Sequence, residues 1–206
     1  VVWMTTTDLV FCVNPAHPAR TMAEFIALAR RSPGKYTYGT AGNGSANHLA
    51  TKYLESLAGI ELAHVPYKGG GPAIVDAVGG QIDAVMAFPL GALPHLKSGR
   101  LRALAVTGAK RAVALPDVPT IAESGVAGYA FSSWFGLVLP HGAPADVAAR
   151  IEAATVAALK EPDTVAKLRA GLTEPVGEGP DALRGLIARE SQKWSALIRQ
   201  YGIKAD

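Results

Sequence analysis

Short apolar runs alternate along this chain with longer segments whose apolar positions recur every three or four residues, the spacing of strands interleaved with amphipathic helices. Residues 1–13, rich in β-branched side chains, read as one or two strands ending at Asn14-Pro15 and the Pro18 turn. Thr21 with Glu24 three residues on has the pattern of a capping box, opening a helix that puts Met22, Phe25, Ile26 and Ala29 on one face. Ser32-Pro33-Gly34 ends it. A β-prone run at 35–40 then leads into a glycine-rich turn and a helix over 49–58, with Leu49, Tyr53, Leu54 and Leu57 on one face and Gly59 closing it. A strand at 60–65, a second glycine-rich loop, a helix at 73–78, a strand at 82–88, a short helix at 93–96 and a strand at 101–107 follow. Residues 115–125 form a proline-rich rigid loop carrying a short helix capped by Thr120, and 129–140 is an apolar stretch long enough to cross between two lobes.

The last third changes character. Helices are predicted over 145–160, 163–170 and 180–201, with a strand at 172–176 between the second and third. Amphipathic helices of this kind need a sheet to cover, and too few strands remain here to build a whole one.

Two stretches repeat the same grammar of strand, glycine-rich loop and helix. The first, Tyr38-Gly39-Thr40-Ala41-Gly42-Asn43-Gly44-Ser45, puts amide hydrogens at the positive end of a helix dipole, and its glycines leave room for a ligand to approach the backbone. Ser45 is placed to cap the helix, Asn43 tolerates the left-handed conformation, and Thr40, Ser45 and Asn47 add side-chain hydrogen bonds suited to a carboxylate. A capped turn that binds nothing fits the same residues. The second, Pro66-Tyr67-Lys68-Gly69-Gly70-Gly71-Pro72, offers Lys68 either as a cation for a shared crevice or as an ordinary exposed lysine. Successive units of this kind imply neighbouring parallel strands whose loops face one crevice.

Composition narrows the class. Of 206 residues, 49% are apolar and 18% charged, with a net charge of +3 too mild and too scattered for a nucleic-acid surface. The single cysteine, Cys12, excludes an intrachain disulfide and a thiolate cage, and sits in an apolar run as a small buried side chain would. No apolar run approaches the roughly 20 residues of a bilayer span. The five histidines, His17, His48, His64, His95 and His141, lie in unrelated contexts, and no metal, phosphate-loop or nucleophile-elbow motif occurs, so neither a metal nor a cofactor is expected. His48 is placed either to donate to a ligand or to pack on the strand below it. Asp76 and Asp83 have no nucleophile beside them in sequence, so no catalytic pair is assigned.

The glycine-rich turn through Ser45, His48-Leu49, Val65-Pro66-Tyr67-Lys68-Gly69, Gly79-Gly80-Gln81-Ile82-Asp83, Pro94-His95, Leu101-Arg102-Ala103-Leu104-Ala105-Val106-Thr107, Leu115-Pro116-Asp117-Val118-Pro119-Thr120, Ser133-Trp134-Phe135-Gly136 and Tyr201-Gly202-Ile203 occur in that order. Together they closely resemble the Bug-type solute receptors of tripartite tricarboxylate transporters, over essentially the whole chain. The resemblance implies an α/β protein of the two-lobe periplasmic-binding-protein type (type II), not an enzyme. Such a receptor sits in the periplasm, closes on a small organic carboxylate and delivers it to the permease subunits of a membrane transporter, with no nucleic-acid partner. A cytoplasmic ligand-sensing domain of a transcription regulator, which shares the two-lobe plan, is the alternative.

Further expectations follow from that resemblance. Residues 14–128 would be a complete second lobe, and 1–13 with 129–206 the remainder of a first lobe whose opening segment, including a Pro-Phe-x-x-Gly-Gly loop, is not in this chain. The opening without Met, in mid-strand, leads to the expectation of further sequence upstream of Val1, and a signal peptide removed on export is expected there. The chain as it stands is expected to expose sheet edges and self-associate. Thr40, Gly42, Asn43, Gly44 and Ser45 match the family's carboxylate-binding loop, and Tyr67, Lys68 and Gly69 match a second loop lining the cleft. Ala87 stands where some relatives place an Asp that holds a ligand's amino group, implying a ligand without a cationic amine: a di- or tricarboxylate or an aromatic acid.

Overall fold

The computed structural model describes residues 1–204. In chain order the elements are β1 (Val2–Thr7), β2 (Val10–Val13), α1 (Met22–Arg31), β3 (Thr37–Thr40), α2 (Ala46–Ala58), β4 (Ala63–Pro66), α3 (Gly70–Val78), β5 (Ala84–Ala87), α4 (Pro89–Lys97) and β6 (Arg102–Val106). They continue with β7 (Ser133–Leu137), α5 (Ala145–Lys160), α6 (Pro162–Ala170), β8 (Thr173–Glu178) and α7 (Pro180–Tyr201). Two sheets result: a five-stranded one ordered β4-β3-β5-β2-β6 and a three-stranded one ordered β7-β1-β8.

In the five-stranded sheet β3 runs parallel to β4 and β5, while β2 runs antiparallel to β5 and β6. Both faces are covered, which explains why β2 and β5 are apolar without interruption. Period-two alternation sorts their side chains: Phe11, Val13, Tyr38 and Met86 meet Phe25 and Leu54 of α1 and α2. Val10, Cys12, Val85 and Ala87 meet Ala73, Ile74 and Ala77 of α3 on the opposite face.

Local signals are honoured where a cap was legible. Thr21 Oγ1 accepts from Glu24 N at 3.2 Å and Glu24 Oε2 accepts from Thr21 N at 3.3 Å, a complete capping box. Gly59 closes α2 in the left-handed conformation with φ 60°. At Thr120 the same reciprocal bonds to Glu123 form, at 2.8 and 3.0 Å, but they close a single turn and no helix follows. Three helices also begin earlier than their apolar spacing implies: α2 at Ala46, α3 at Gly70 and α4 at Pro89. The glycines and proline that look like loop are the first turns, where amides have no intrahelical partner and Pro is tolerated.

The chain passes between the sheets twice, and the two passages are laced together. Leu9 N donates to Thr107 Oγ1 at 2.7 Å, Thr107 N to Leu9 O at 3.0 Å, and Phe131 N to Thr107 O at 2.9 Å. Ser132 Oγ donates to Asp8 Oδ1 at 2.5 Å. The strand Val10–Val13 pairs within the five-stranded sheet, so that sheet begins ahead of residue 14 and residues 1–13 are divided between the two sheets. The three-stranded sheet is antiparallel throughout, with α5 packed on β1 and β8, α6 on β8, and α7 on β1 and α2.

Candidate functional site

The strand β3 ends at Thr40 and turns through 41–45 into α2. Gly42 (φ 121°) and Gly44 (φ 72°) occupy conformations that glycine alone adopts readily, whereas Asn43 does not enter the left-handed region expected of it. Ser45 caps α2, its Oγ accepting from His48 N at 3.4 Å and donating to Gly42 O at 2.7 Å. Gly39 serves packing: a Cβ there would lie 2.6 Å from Ile82 Cδ1 and 3.1 Å from Ala73 Cβ, so the space expected for a ligand is filled by the protein.

The amides of the bend itself are largely engaged. Gly42 N donates to Thr40 Oγ1 at 3.2 Å, Gly44 N to His48 Nδ1 at 3.1 Å, and Ser45 N to Gly42 O at 3.3 Å. Three of the amides expected to meet the anion, those of Gly42, Gly44 and Ser45, thus have acceptors within the protein. His48 Nδ1, acting as an acceptor, carries no proton in this arrangement, and its ring stacks on His64 at 4.0 Å between centroids. His64 stacks in turn on Tyr38 at 4.9 Å and places Nε2 2.7 Å from Thr40 Oγ1. His48 thus packs and braces the turn.

Unpaired donors lie one step further along each unit. The amides of Ala46 and Asn47 at the start of α2, of Gly70 and Gly71 at the start of α3, and of Leu90 in the first turn of α4 meet no acceptor among the described residues. The three helices start at the carboxyl ends of β3, β4 and β5, which run side by side in one direction. Their positive ends therefore converge on a cleft of about 300 Å³. Thr40, Asn47, Gly70, Gly71, Leu90 and Gly91 line its rim and Ala73, Ile74, Val85, Met86, Ala87 and Phe88 its walls. No ionisable side chain lines it among the described residues.

Of the expected site residues, Thr40 and Ala87 line the cleft, and 42–45 build the turn beside it. Tyr67 turns onto α3: its hydroxyl donates to Asp76 Oδ2 at 2.7 Å, and burial, then Asp76, pushes the phenol up to about 12. Lys68 is exposed and outside the lining, while Gly69 (φ 110°) is the N-cap that presents Gly70 and Gly71. Asn47, 2% exposed, donates through Nδ2 to Met86 O at 2.6 Å and clamps α2 to the end of β5, while its Oδ1 finds no partner. Leu90 and the start of α4 escaped the sequence reading, although Pro89 directly after an apolar strand is a helix-opening signal.

A second cavity, about 220 Å³, adjoins the first and lies between the sheets, lined by Thr7, Phe88, Pro89, Leu90, Phe135, Gly171 and Thr173. Two sheets joined by paired crossovers, with a helix-ringed cleft opening toward the gap, define the two-lobe periplasmic-binding-protein class. A solved R. palustris protein with adipate superimposes with a TM-score of 0.93 at 32% identity, covering 98% of this chain and 68% of that one. MatC from Rhodopseudomonas palustris with bound malate gives 0.87 at 27% identity, covering 96% and 68%. The chain belongs to the family described as the tripartite tricarboxylate transporter family receptor, which its residues 1–203 match. Among curated relatives, the UPF0065 protein in the tcbD-tcbE intergenic region of Pseudomonas sp. (strain P51) is 35% identical over 207 residues, covering 100% of this chain and 62% of that protein. Protein BugT of Bordetella pertussis is 34% identical over 196 residues, covering 95% and 60%. The chain thus spans about 60% of the length of these curated relatives.

Proposed function

We propose that this chain is the ligand-capturing part of a periplasmic receptor that binds a small organic carboxylate between two lobes and delivers it to the permease subunits of a tripartite tricarboxylate-type transporter. The five-stranded sheet with its helices forms one lobe, and the three-stranded sheet with α5, α6 and α7 belongs to the other. The observation that carries this reading is the convergence of three helix starts, with unpaired amides, on one cleft lined by no ionisable side chain among the described residues. A carboxylate receives hydrogen bonds there that the folded chain leaves unused, while Thr40, Gly42, Asn43, Gly44 and Ser45 shape one wall and Tyr67, Lys68 and Gly69 the approach to the next. Ala87 at the end of β5 offers nothing to an ammonium group.

The family membership supports the receptor role, and the adipate and malate bound to two structural relatives support the ligand class. Membership of a receptor family supports binding without turnover. Among the described residues no helix is long and apolar enough to cross a membrane. A thermal-shift panel of organic acids tests the reading. An acid at about 100 times its Kd adds about 2.7 kcal/mol of stability and raises Tm. A broad panel that leaves Tm unmoved would remove the carboxylate assignment.

A further inference from the structure

We propose that the acid this receptor selects carries an apolar body beyond its carboxylate, lodged in the cavity between the two sheets, with Leu90 and Phe135 as the specificity-determining residues. The inference rests on the carboxylate reading of the neighbouring cleft. The two cavities share Phe88 and Leu90, so a ligand anchored at the helix starts extends directly into the second space. From one side Leu90, 86% exposed, projects from the first turn of α4; from the other Phe135, 46% exposed, projects from β7. The rings of Phe88 and Phe135 approach across the gap with centroids 6.1 Å apart and planes inclined at 52°.

Two large apolar side chains left open to water, one on α4 and one on β7, line one gap, and an apolar group that fills it removes that unfavourable exposure. The side-chain hydroxyls of the second cavity are already satisfied. Thr7 Oγ1 and Thr173 Oγ1 lie 2.9 Å apart and bond each other, and Thr173 Oγ1 also reaches Gly171 O at 3.3 Å. No ionisable side chain lines either cavity among the described residues, so an amine or a second charge placed against Phe88 and Leu90 would be stripped of water without a partner. Leucine in the first turn of a helix, where the dipole favours an acidic or polar residue, gains nothing from that dipole.

The test is isothermal titration with straight-chain monocarboxylates from acetate to octanoate, on the wild type and on Leu90→Ser and Phe135→Thr variants. Both positions are exposed enough to substitute without disturbing the fold, and the ligand-free Tm of each variant confirms that. In the wild type, Kd is expected to fall about threefold to fourfold per added methylene until the space is filled. In the variants that dependence is expected to flatten, and Phe135→Thr, whose side chain lies outside the first cleft, is expected to bind acetate as the wild type does. Equal affinity along the wild-type series, or an unchanged dependence in both variants, overturns this inference and leaves the carboxylate reading standing. Absence of binding at every length removes the carboxylate reading, and this inference with it.

Discussion

Cys12 sits at the centre of β2, fully enclosed between β5 and β6, and burial pushes its thiol up to about 12. At neutral pH it is therefore protonated as well as inaccessible, and it works as a small packing residue. A disulfide-exchange reagent is expected to find no reactive thiol in the native protein and one in denaturant. Rapid native labelling would show that β2 opens readily, contrary to its central position. Asn47 and Gly39 make a related point. Both lie in the stretch that sequence motifs mark for ligand contact, yet one clamps a helix to a strand and the other admits close packing of Ile82 and Ala73. A glycine or an amide near a site is shaped by the protein's own packing as well as by what binds there.

At the scale of elements, the crossovers carry a titratable group. Burial is the main reason the Asp8 carboxyl titrates above its ordinary range; Glu174 adds to the shift, and the Ser132 hydroxyl opposes it. The folded state binds this proton more tightly than the unfolded chain. Its stabilisation is thus complete below the ordinary carboxylate pKa and is lost as pH rises through the raised value. Asp8→Asn is expected to flatten the stability profile across that window and to raise stability at neutral pH, read by denaturant midpoints at several pH values. A variant profile as steep as the wild type would contradict this. Most elements were legible beforehand because period and punctuation agree: α1 with its capping box, α5, α7 and the buried strands. Helix starts were not, because Gly70-Gly71-Pro72 and Pro89-Leu90 carry loop residues at positions whose amides need no partner. That same ambiguity concealed the unpaired amides of these first turns, while the sequence draws attention to the bend at 42–45. The absent helix at Thr120 shows the converse, a capping pattern with no apolar run long enough to sustain it.

At the scale of the molecule, the five-stranded sheet is covered on both faces while the three-stranded one ends at β7 and β8. Leu172, the one non-glycine residue with positive φ among those described, reaches from the turn before β8 into the apolar cluster of the five-stranded sheet and ties the two bodies together. Residues 1–206 produced alone present the edges of β7 and β8 with Phe135 and Val138 exposed, and are expected to pair edges between copies. Sedimentation velocity should show association that grows with concentration; a monodisperse monomer would contradict it. The alternating strand and helix order made the α/β plan legible, and the ordered motifs made the family legible. The contact across the gap was not, since Phe88 and Phe135 are far apart in sequence, in segments with no shared pattern.

The unpaired amides of three helix starts are the centre of this account, and amide-resolved NMR addresses them directly. Titrating a small monocarboxylate such as hexanoate into the labelled protein is expected to shift the amide resonances of Ala46, Asn47, Gly70, Gly71 and Leu90 together along one saturable curve. Saturable shifts confined to other residues, with those five unmoved, would contradict it.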